Sequence, residues 1–309
     1  MTPPQSGKAP ARAILLGTAA GGGYPQWNCR CPVCTLAWSA DPRVTPRTQS
    51  SLAVTGDGET WALFNASPDL GRQIRATPAL WPKQPLRQSP IGAVVLTNAD
   101  VDHVAGLLSL RERHPFRLIA LEPVHAALDA NSVFDALDRT VVRRVVARPG
   151  QAFEATPGVS VALVPVPGKA PLYAEGENPA VGVENGETAG AFLTVGATRL
   201  AYVPGCAALT PSSVEKLAQV DVVLFDGTLF VDDEMIRMGI GQKTGRRMGH
   251  LPITGPGGSL EALQALPAKR RIYVHINNTN PTLIDGSPER VIVERAGLEI
   301  AADGMEIGL

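Results

Sequence analysis

Three cysteines lie within six residues, in the run Cys29-Arg-Cys31-Pro-Val-Cys34. A disulfide framework spreads its cysteines, and three cannot pair evenly. Thiolates at this spacing, on a short loop after the glycine-rich run 17–23, suit one tetrahedral Zn2+. A thiolate site implies a reducing compartment; three free surface cysteines are the plainer alternative. A second concentration of ligand-type residues follows an apolar run. Residues 92–97 read as a buried strand that continues into Thr97-Asn98-Ala99-Asp100-Val101-Asp102-His103. Polar residues beyond the C-terminal end of a buried strand face a crevice. Alternation puts Asn98, Asp100 and Asp102 on one side, with His103 just past the turn. Four ligand-capable groups in six residues point to a metal or catalytic centre. An Asn/Asp-rich turn with Asp102 capping a helix from Val104 accounts for the same residues without chemistry. A third stretch, 237–250, sets Arg237, Lys243, Arg246, Arg247 and His250 among glycines. It reads either as a lid whose guanidinium forks suit carboxylates or as a solvated loop.

The elements that must position these groups follow from hydrophobic periodicity. Residues 13–17 form a strand, and 51–55 and 61–65 a hairpin across Gly56-Asp57-Gly58. A helix over 68–77 opens on Pro68. Then come helix 104–113, strand 118–121 and helix 122–137. The second half repeats the grammar. It has strands 159–164, 189–195, 199–203, 220–226 and 271–275, helices 211–219, 257–266 and 288–297, and a terminal strand. Each half gives strands followed by helices, with no linker. That pattern predicts an α/β sandwich over 13–309, two mixed sheets face to face with helices outside, after a flexible Pro-rich tail, 1–12.

Composition sets the bounds. The 309 residues are 44% hydrophobic and 18% charged, which supports a large core and excludes global disorder. Lys plus Arg number 28 against 29 Asp plus Glu, a net charge of −1, so no polybasic coat for nucleic acid or membrane is expected. Aromatics at 5% are too few for a single-strand binding groove. The apolar runs are strand-length, far below the roughly 18 residues of a membrane span. The N-terminal residues lack an apolar signal core, so a soluble cytoplasmic protein is expected. His114 and His125 sit in helical patterns without ligand neighbours and read as ordinary residues.

The stretch 97–103 resembles a degenerate His-x-His-x-Asp-His signature of the metallo-β-lactamase superfamily. Asn98 and Asp100 stand where the two leading histidines belong, while Asp102 and His103 match. Segments 13–34, 97–107 and 226–254, the run Asn65-Ala66-Ser67-Pro68, and His275 closing a late strand together resemble the coenzyme PQQ biosynthesis protein B family over nearly the whole chain. The resemblance implies an αββα sandwich with an active-site metal on Asp102, His103 and His275. Asn98, Asp100 and Asp226 are further candidates. Asp226 reads as a ligand, as an acceptor orienting an imidazole, or as a turn residue before Gly227. Loss of the leading histidines speaks against a dinuclear hydrolase, as does Cys206 where a bridging aspartate normally sits. Two imidazoles and one carboxylate are the ligand types of non-heme Fe(II) oxygenases, and Zn or Mn can substitute.

The family implies an Fe(II)- and O2-dependent hydroxylase of the tyrosine-derived ring of a Glu-Tyr crosslinked PQQ precursor. That substrate is a small multi-carboxylate, to be held by Arg237, Lys243, Arg246 and Arg247, with His250 as acid/base or carboxylate partner. The alternative is a non-catalytic carrier of PQQ itself, aiding its release to the periplasm; a superfamily hydrolase is a third reading. Cys29, Cys31 and Cys34 would hold a separate structural zinc. A related phosphodiesterase supplies the fourth ligand from the position of Asn278; Cys206 or water are the alternatives. Candidate protein partners are other PQQ biosynthesis proteins and a second copy of the chain.

Overall fold

The computed structural model describes residues 10–177 and 179–309. Most of the expected tail lies outside them. Arg12 already belongs to a strand, paired with Gly308 on one side and Thr55 on the other.

Two seven-stranded sheets face each other. The first runs Glu306–Gly308, Arg12–Gly17, Ser51–Thr55, Trp61–Phe64, Ile91–Val95, Arg117–Ala120, Arg143–Val146. Its first four strands are antiparallel and the rest parallel. The second runs Glu299–Ile300, Arg270–Val274, Val222–Asp226, Thr198–Val203, Ala189–Val195, Val159–Pro165, Ala152–Thr156. It mirrors the first, parallel over four strands and antiparallel over the remainder. A two-stranded ribbon, Gly168–Lys169 with Val181–Val183, belongs to neither sheet.

The pleat explains the layers. Leu15, Leu52, Phe64 and Val95 project inward and meet Leu163, Ala191, Tyr202 and Leu224 of the facing sheet. Phe64 and Tyr202 touch edge to face, 6.4 Å between centroids. Their neighbours in sequence face outward. Leu16, Leu63 and Val94 pack on Leu70, Leu107 and Leu128 on one side, and Val223, Phe225 and Tyr273 pack on Leu217, Leu263 and Val293 on the other. The central strands of each sheet therefore bury both faces, which is why Ser51–Thr55, Trp61–Phe64 and Val222–Asp226 are buried throughout, while the outer strands Arg143–Val146, Ala152–Thr156 and Val159–Pro165 leave one face partly open.

Two expected helices differ. The one expected over 104–113 is one α-helical turn, Val101–Val104, followed by 3-10 structure, Ala105–Leu110. Gly106 N donates to Ala66 O at 2.8 Å, so this backbone is drawn onto the Ala66–Ser67 turn instead of continuing an α-helix. A Cβ at Gly106 would stand 2.1 Å from Ser67 O. The helix expected over 122–137 stops at Asp129 and resumes as a 3-10 segment, Ser132–Ala136. The sequence pattern also passed over helix Pro32–Trp38 and the edge strands Arg143–Val146 and Ala152–Thr156.

Candidate metal centre

Parallel strands deliver their C-terminal ends to one edge of a sandwich, and the chemistry collects there. Asp226 is paired with Val274, so the next residue, His275, lies beside it. His275 has φ +58, a left-handed conformation that costs a non-glycine residue about 1–3 kcal/mol. The surroundings impose it. Ile276 N donates to Thr18 O at 2.8 Å, and Thr228 Oγ1 packs 3.0 Å from His275 O. On the opposite sheet, Asn65 (φ +63) pins the start of the ligand loop: its Nδ2 donates to Thr97 Oγ1, and its Oδ1 accepts from Thr97 N, both at 2.9 Å.

Asp102, His103 and His275 come together although 172 residues separate the two histidines, with one ligand atom of each lying within 4.8 Å of the others. His275 Nε2 is 3.0 Å from Asp102 Oδ2, and His103 Nε2 is 3.9 Å from the same oxygen. His103 Nε2 is buried with no hydrogen-bond partner. An orphaned buried imidazole nitrogen facing a carboxylate and a second imidazole is what a cation site requires, so the residues fit a metal. Burial pushes the His103 imidazole down to about 4, so it is neutral and its lone pair is available at neutral pH. Burial alone would raise the Asp102 carboxyl, but His103 and His275 hold it well below the usual carboxylate range.

A second cluster shares His275. Asp226, His250 and His275 also place ligand atoms within 4.8 Å of one another. Asp226 is fully buried; it accepts from Cys206 N at 3.0 Å and from Thr228 Oγ1 at 2.6 Å, and its Oδ2 lies 2.8 Å from His250 Nδ1. Desolvation works against a charged His250, but Asp226 outweighs it and lifts the imidazole above its ordinary value. Thr228 Oγ1 is also 2.8 Å from His275 Nδ1, tying both imidazoles to Asp226. The rings of His250 and His275 stack 5.0 Å apart.

The structure recasts two sequence candidates. Asp100 belongs to neither cluster of acids and histidines, and the Asn98 amide oxygen is turned to a histidine. Asn98 Oδ1 is 2.7 Å from His103 Nδ1 and accepts from Asp100 N at 3.0 Å, so it orients the histidine. Asp100 is the N-cap residue of the Val101–Val104 turn, without a side-chain cap bond. Burial and the neighbouring Asp102 push its carboxyl up. The capping role considered for Asp102 is thus not the one it plays, because its carboxylate turns to His275.

Asp102, His103, His250 and His275 floor a cavity of about 590 Å³, with Asp226 buried behind them. Leu172, Met235 and Met248 supply apolar wall, and Lys169, Glu175 and Lys243 charge. Of the four expected cations, Lys243 lines the cavity, and Arg247 reaches Glu175 at its wall. Arg237 instead pairs with Asp233 at 2.8 Å on the surface. Arg246 donates to the carbonyls of Pro256 (2.7 Å) and Gly257 (3.1 Å), away from the cavity. Sequence reasoning missed Thr228, Lys169 and Glu175. Only Thr228 carried a local signal, two residues past the strand-ending Asp226.

The cysteine site is separate. The sulfurs of Cys29, Cys31 and Cys34 lie within 4.8 Å of one another. Cys29 Sγ accepts from Cys31 N at 3.4 Å, and Cys31 Sγ accepts from Cys34 N at 3.3 Å where it caps helix Pro32–Trp38. Three sulfurs converging without a disulfide are a donor set for zinc. Asn278 stands beside them. Its side-chain Nδ2 donates to Cys34 Sγ at 3.2 Å, and its backbone carbonyl oxygen lies 3.6 and 3.7 Å from Cys31 and Cys34 Sγ, so the amide turns its nitrogen to the sulfurs. Cys206 is elsewhere, its thiol 3.0 Å from Ala208 O. His114 and His125 hydrogen-bond the carbonyls of Ile91 and Val145 and have no part in either site; His114 follows the 3-10 segment and is not helical.

A family model described as a beta-lactamase superfamily domain matches residues 60–276. A diphosphatase of the PhnP family, 22% identical, superimposes with TM-score 0.68 over 97% of this chain and 98% of that one, a likeness of fold alone. The fold is that of the metallo-β-lactamase superfamily. "Coenzyme PQQ synthesis protein B" of Methylobacterium nodulans is 56% identical over 96% of this chain and 100% of its own length. The crystal structure of Zn(2+)-bound PqqB from Methylobacterium extorquens is 51% identical, with TM-score 0.95 over 96% of this chain and all of that one. Within the superfamily, the chain belongs to the coenzyme PQQ synthesis protein B family. Among the described residues, no helix is long and apolar enough to cross a membrane.

Proposed function

We propose that this chain acts in PQQ biosynthesis as an Fe(II)- and O2-dependent hydroxylase of the tyrosine-derived ring of a Glu-Tyr crosslinked precursor. The observation that carries the reading is the convergence of two imidazoles and one carboxylate on the cavity floor, with Asp100 outside the set and Asn98 Oδ1 turned to His103 Nδ1. Asp102, His103 and His275 would hold the iron, which when bound supplies the one-electron and O2 chemistry that side chains lack.

The chain's own residues do the rest. Asn98 fixes the His103 ring, and Thr228 fixes that of His275. Asp226 keeps His250 in place through Nδ1, which leaves Nε2 as the nitrogen to exchange a proton with a phenol. Met235, Met248 and Leu172 flank the ring and exclude water, while Lys169, Lys243 and Arg247 face the substrate's carboxylates.

The test is iron content beside labelled-oxygen incorporation for His103→Ala and His275→Ala. Both variants should fold, lose the iron and stop incorporating oxygen. Full hydroxylation by His275→Ala without bound iron would remove the mechanism. Tight binding of PQQ with no turnover by the wild type would favour the carrier reading.

A further inference from the structure

We propose that Lys169, Lys243 and Arg247 form a carboxylate-binding subsite in the cavity wall, and that Glu175 fills this subsite until a ligand carboxylate displaces it. The ligand class, an aromatic molecule with several carboxylates, rests on the function proposed above; the displacement rests on geometry.

Three cations meet one carboxylate, two charges in excess. Lys169 Nζ is 2.8 Å from Glu175 Oε1, close enough for an ion pair, but it donates to Ala170 O at 3.0 Å and leaves that buried carboxylate oxygen without a hydrogen bond. Lys243 Nζ stands 3.4 Å from Oε2, and Arg247 Nη1 and Nη2 3.5 and 3.4 Å, beyond the 2.7–2.9 Å of a well-made ionic hydrogen bond. Glu175 thus pairs with all three cations by charge and makes a close, well-aligned hydrogen bond to none of them. The nearest other acids lining the cavity, Asp100 and Asp102, lie on its floor, where Asp102 faces His275.

The element that carries Glu175 is built to move. The side chain of Glu175 is 7% exposed, yet its neighbours Leu172 and Tyr173 are 65% and 45% exposed. The strap from 168 to 183 closes on the two-stranded ribbon that joins neither sheet. Among the described residues, besides the ion pairs of Glu175, two long-range side-chain bonds tie it down, Tyr173 Oη to Ala99 O at 2.9 Å and Thr188 Oγ1 to Lys169 O at 3.5 Å. Burial opposes a charged Glu175, but Lys169 and Lys243 hold its carboxyl at about 2. Protonation therefore does not release it at working pH; a competing anion does. A ligand carboxylate that exchanges for Glu175 gains the same Lys169 contact and adds closer ones to Lys243 and Arg247.

The probe is benzene-1,3,5-tricarboxylate, titrated calorimetrically into the full-length protein as isolated. Glu175→Gln keeps the shape and removes the competing charge, so it should bind the probe at least tenfold more tightly than wild type. Lys169→Gln and Arg247→Gln should each bind tenfold or more weakly. Equal or weaker binding by folded Glu175→Gln would overturn the proposal, because Glu175 would then organise the cations instead of occupying their site. Hydrogen exchange on the wild type gives a second readout that needs no variant. The probe should speed exchange at Ala174 and Glu175, whose amides bond only within the strap, to Pro171 and Leu172. Unchanged or slower exchange there would also overturn it. Neither readout involves turnover. Absent hydroxylation with these results intact would therefore count against the proposed reaction alone, and hydroxylation without them against the subsite alone.

Discussion

The hydrogen bond from His103 to Asn98 decides which nitrogen of the imidazole can bind a metal. Asn98 is 5% exposed and His103 1%, and their Oδ1 and Nδ1 are 2.7 Å apart. An amide oxygen only accepts, so Nδ1 carries the proton and Nε2 presents its lone pair to Asp102 and His275. Asn98→Leu keeps the volume and removes the acceptor. The buried Nδ1–H then stays unsatisfied, at a cost of about 1–3 kcal/mol, or the proton moves to Nε2 and blocks the metal. Either route falls on the metal-binding state. Loss of such an orienting partner typically costs about 10–100-fold in metal affinity, or about 1.4–2.7 kcal/mol. Asn98→Asp retains an acceptor and should hold the ring. The assay is competition with a fluorescent chelator on protein whose cysteine site is already loaded with zinc, beside urea unfolding of the metal-free chain. If Asn98→Leu binds the active-site metal within twofold of wild type, the orienting role assigned to Asn98 is wrong.

Stability of the metal-free protein should fall as pH drops from 6.5 towards 4. The unfolded chain protonates His103 near its ordinary 6.5, whereas burial holds the folded value at about 4. At ~1.36 kcal/mol per pH unit the loss is roughly 3 kcal/mol. His250 acts with the opposite sign: its folded value is raised, so its contribution is present in acid and fades as pH rises through that value. Urea unfolding at pH 7 and pH 5 should show a smaller loss for His103→Gln than for wild type, and equal losses would sink the assignment. Cys34→Ser should release one zinc per chain and lower the unfolding midpoint while the Asp102 site keeps its metal. Stoichiometric zinc in the variant would exclude the three-cysteine site. Arg247→Ala should weaken tricarboxylate binding by about 1.5–3 kcal/mol, tenfold or more, and Arg246→Ala should leave it unchanged, because Arg246 is spent on the carbonyls of Pro256 and Gly257. Equal losses in the two variants by calorimetry would contradict that division.

Much of this molecule was legible in its residues. Strand 13–17 was readable because burial on both faces leaves an uninterrupted apolar run, and 159–164 because buried and part-exposed residues alternate along it. The three cysteines were readable because their site is local, and Asp102-His103 because ligand-type residues crowd the end of a buried strand. Chain-distant geometry was not readable. Asn98 and Asp102 are both polar residues on one loop, and only the rotation of that loop against Asn65 and Gly106 aims one at His103 and the other at His275. Arg246 and Arg247 are identical neighbours, yet a single 3-10 turn, Arg246–Met248, sends one outward and the other to Glu175. Glu175 and Lys169 sit in a segment with no motif; they pair with each other, and Glu175 also pairs with Lys243 and Arg247, about 70 positions away. The left-handed backbone at His275 is imposed by partners at Thr18 and Thr228. Periodicity and local spacing report what a residue prefers along its own chain. Which way a side chain points across a cavity is settled by packing between the two sheets, because only there do the competing partners come within hydrogen-bonding reach.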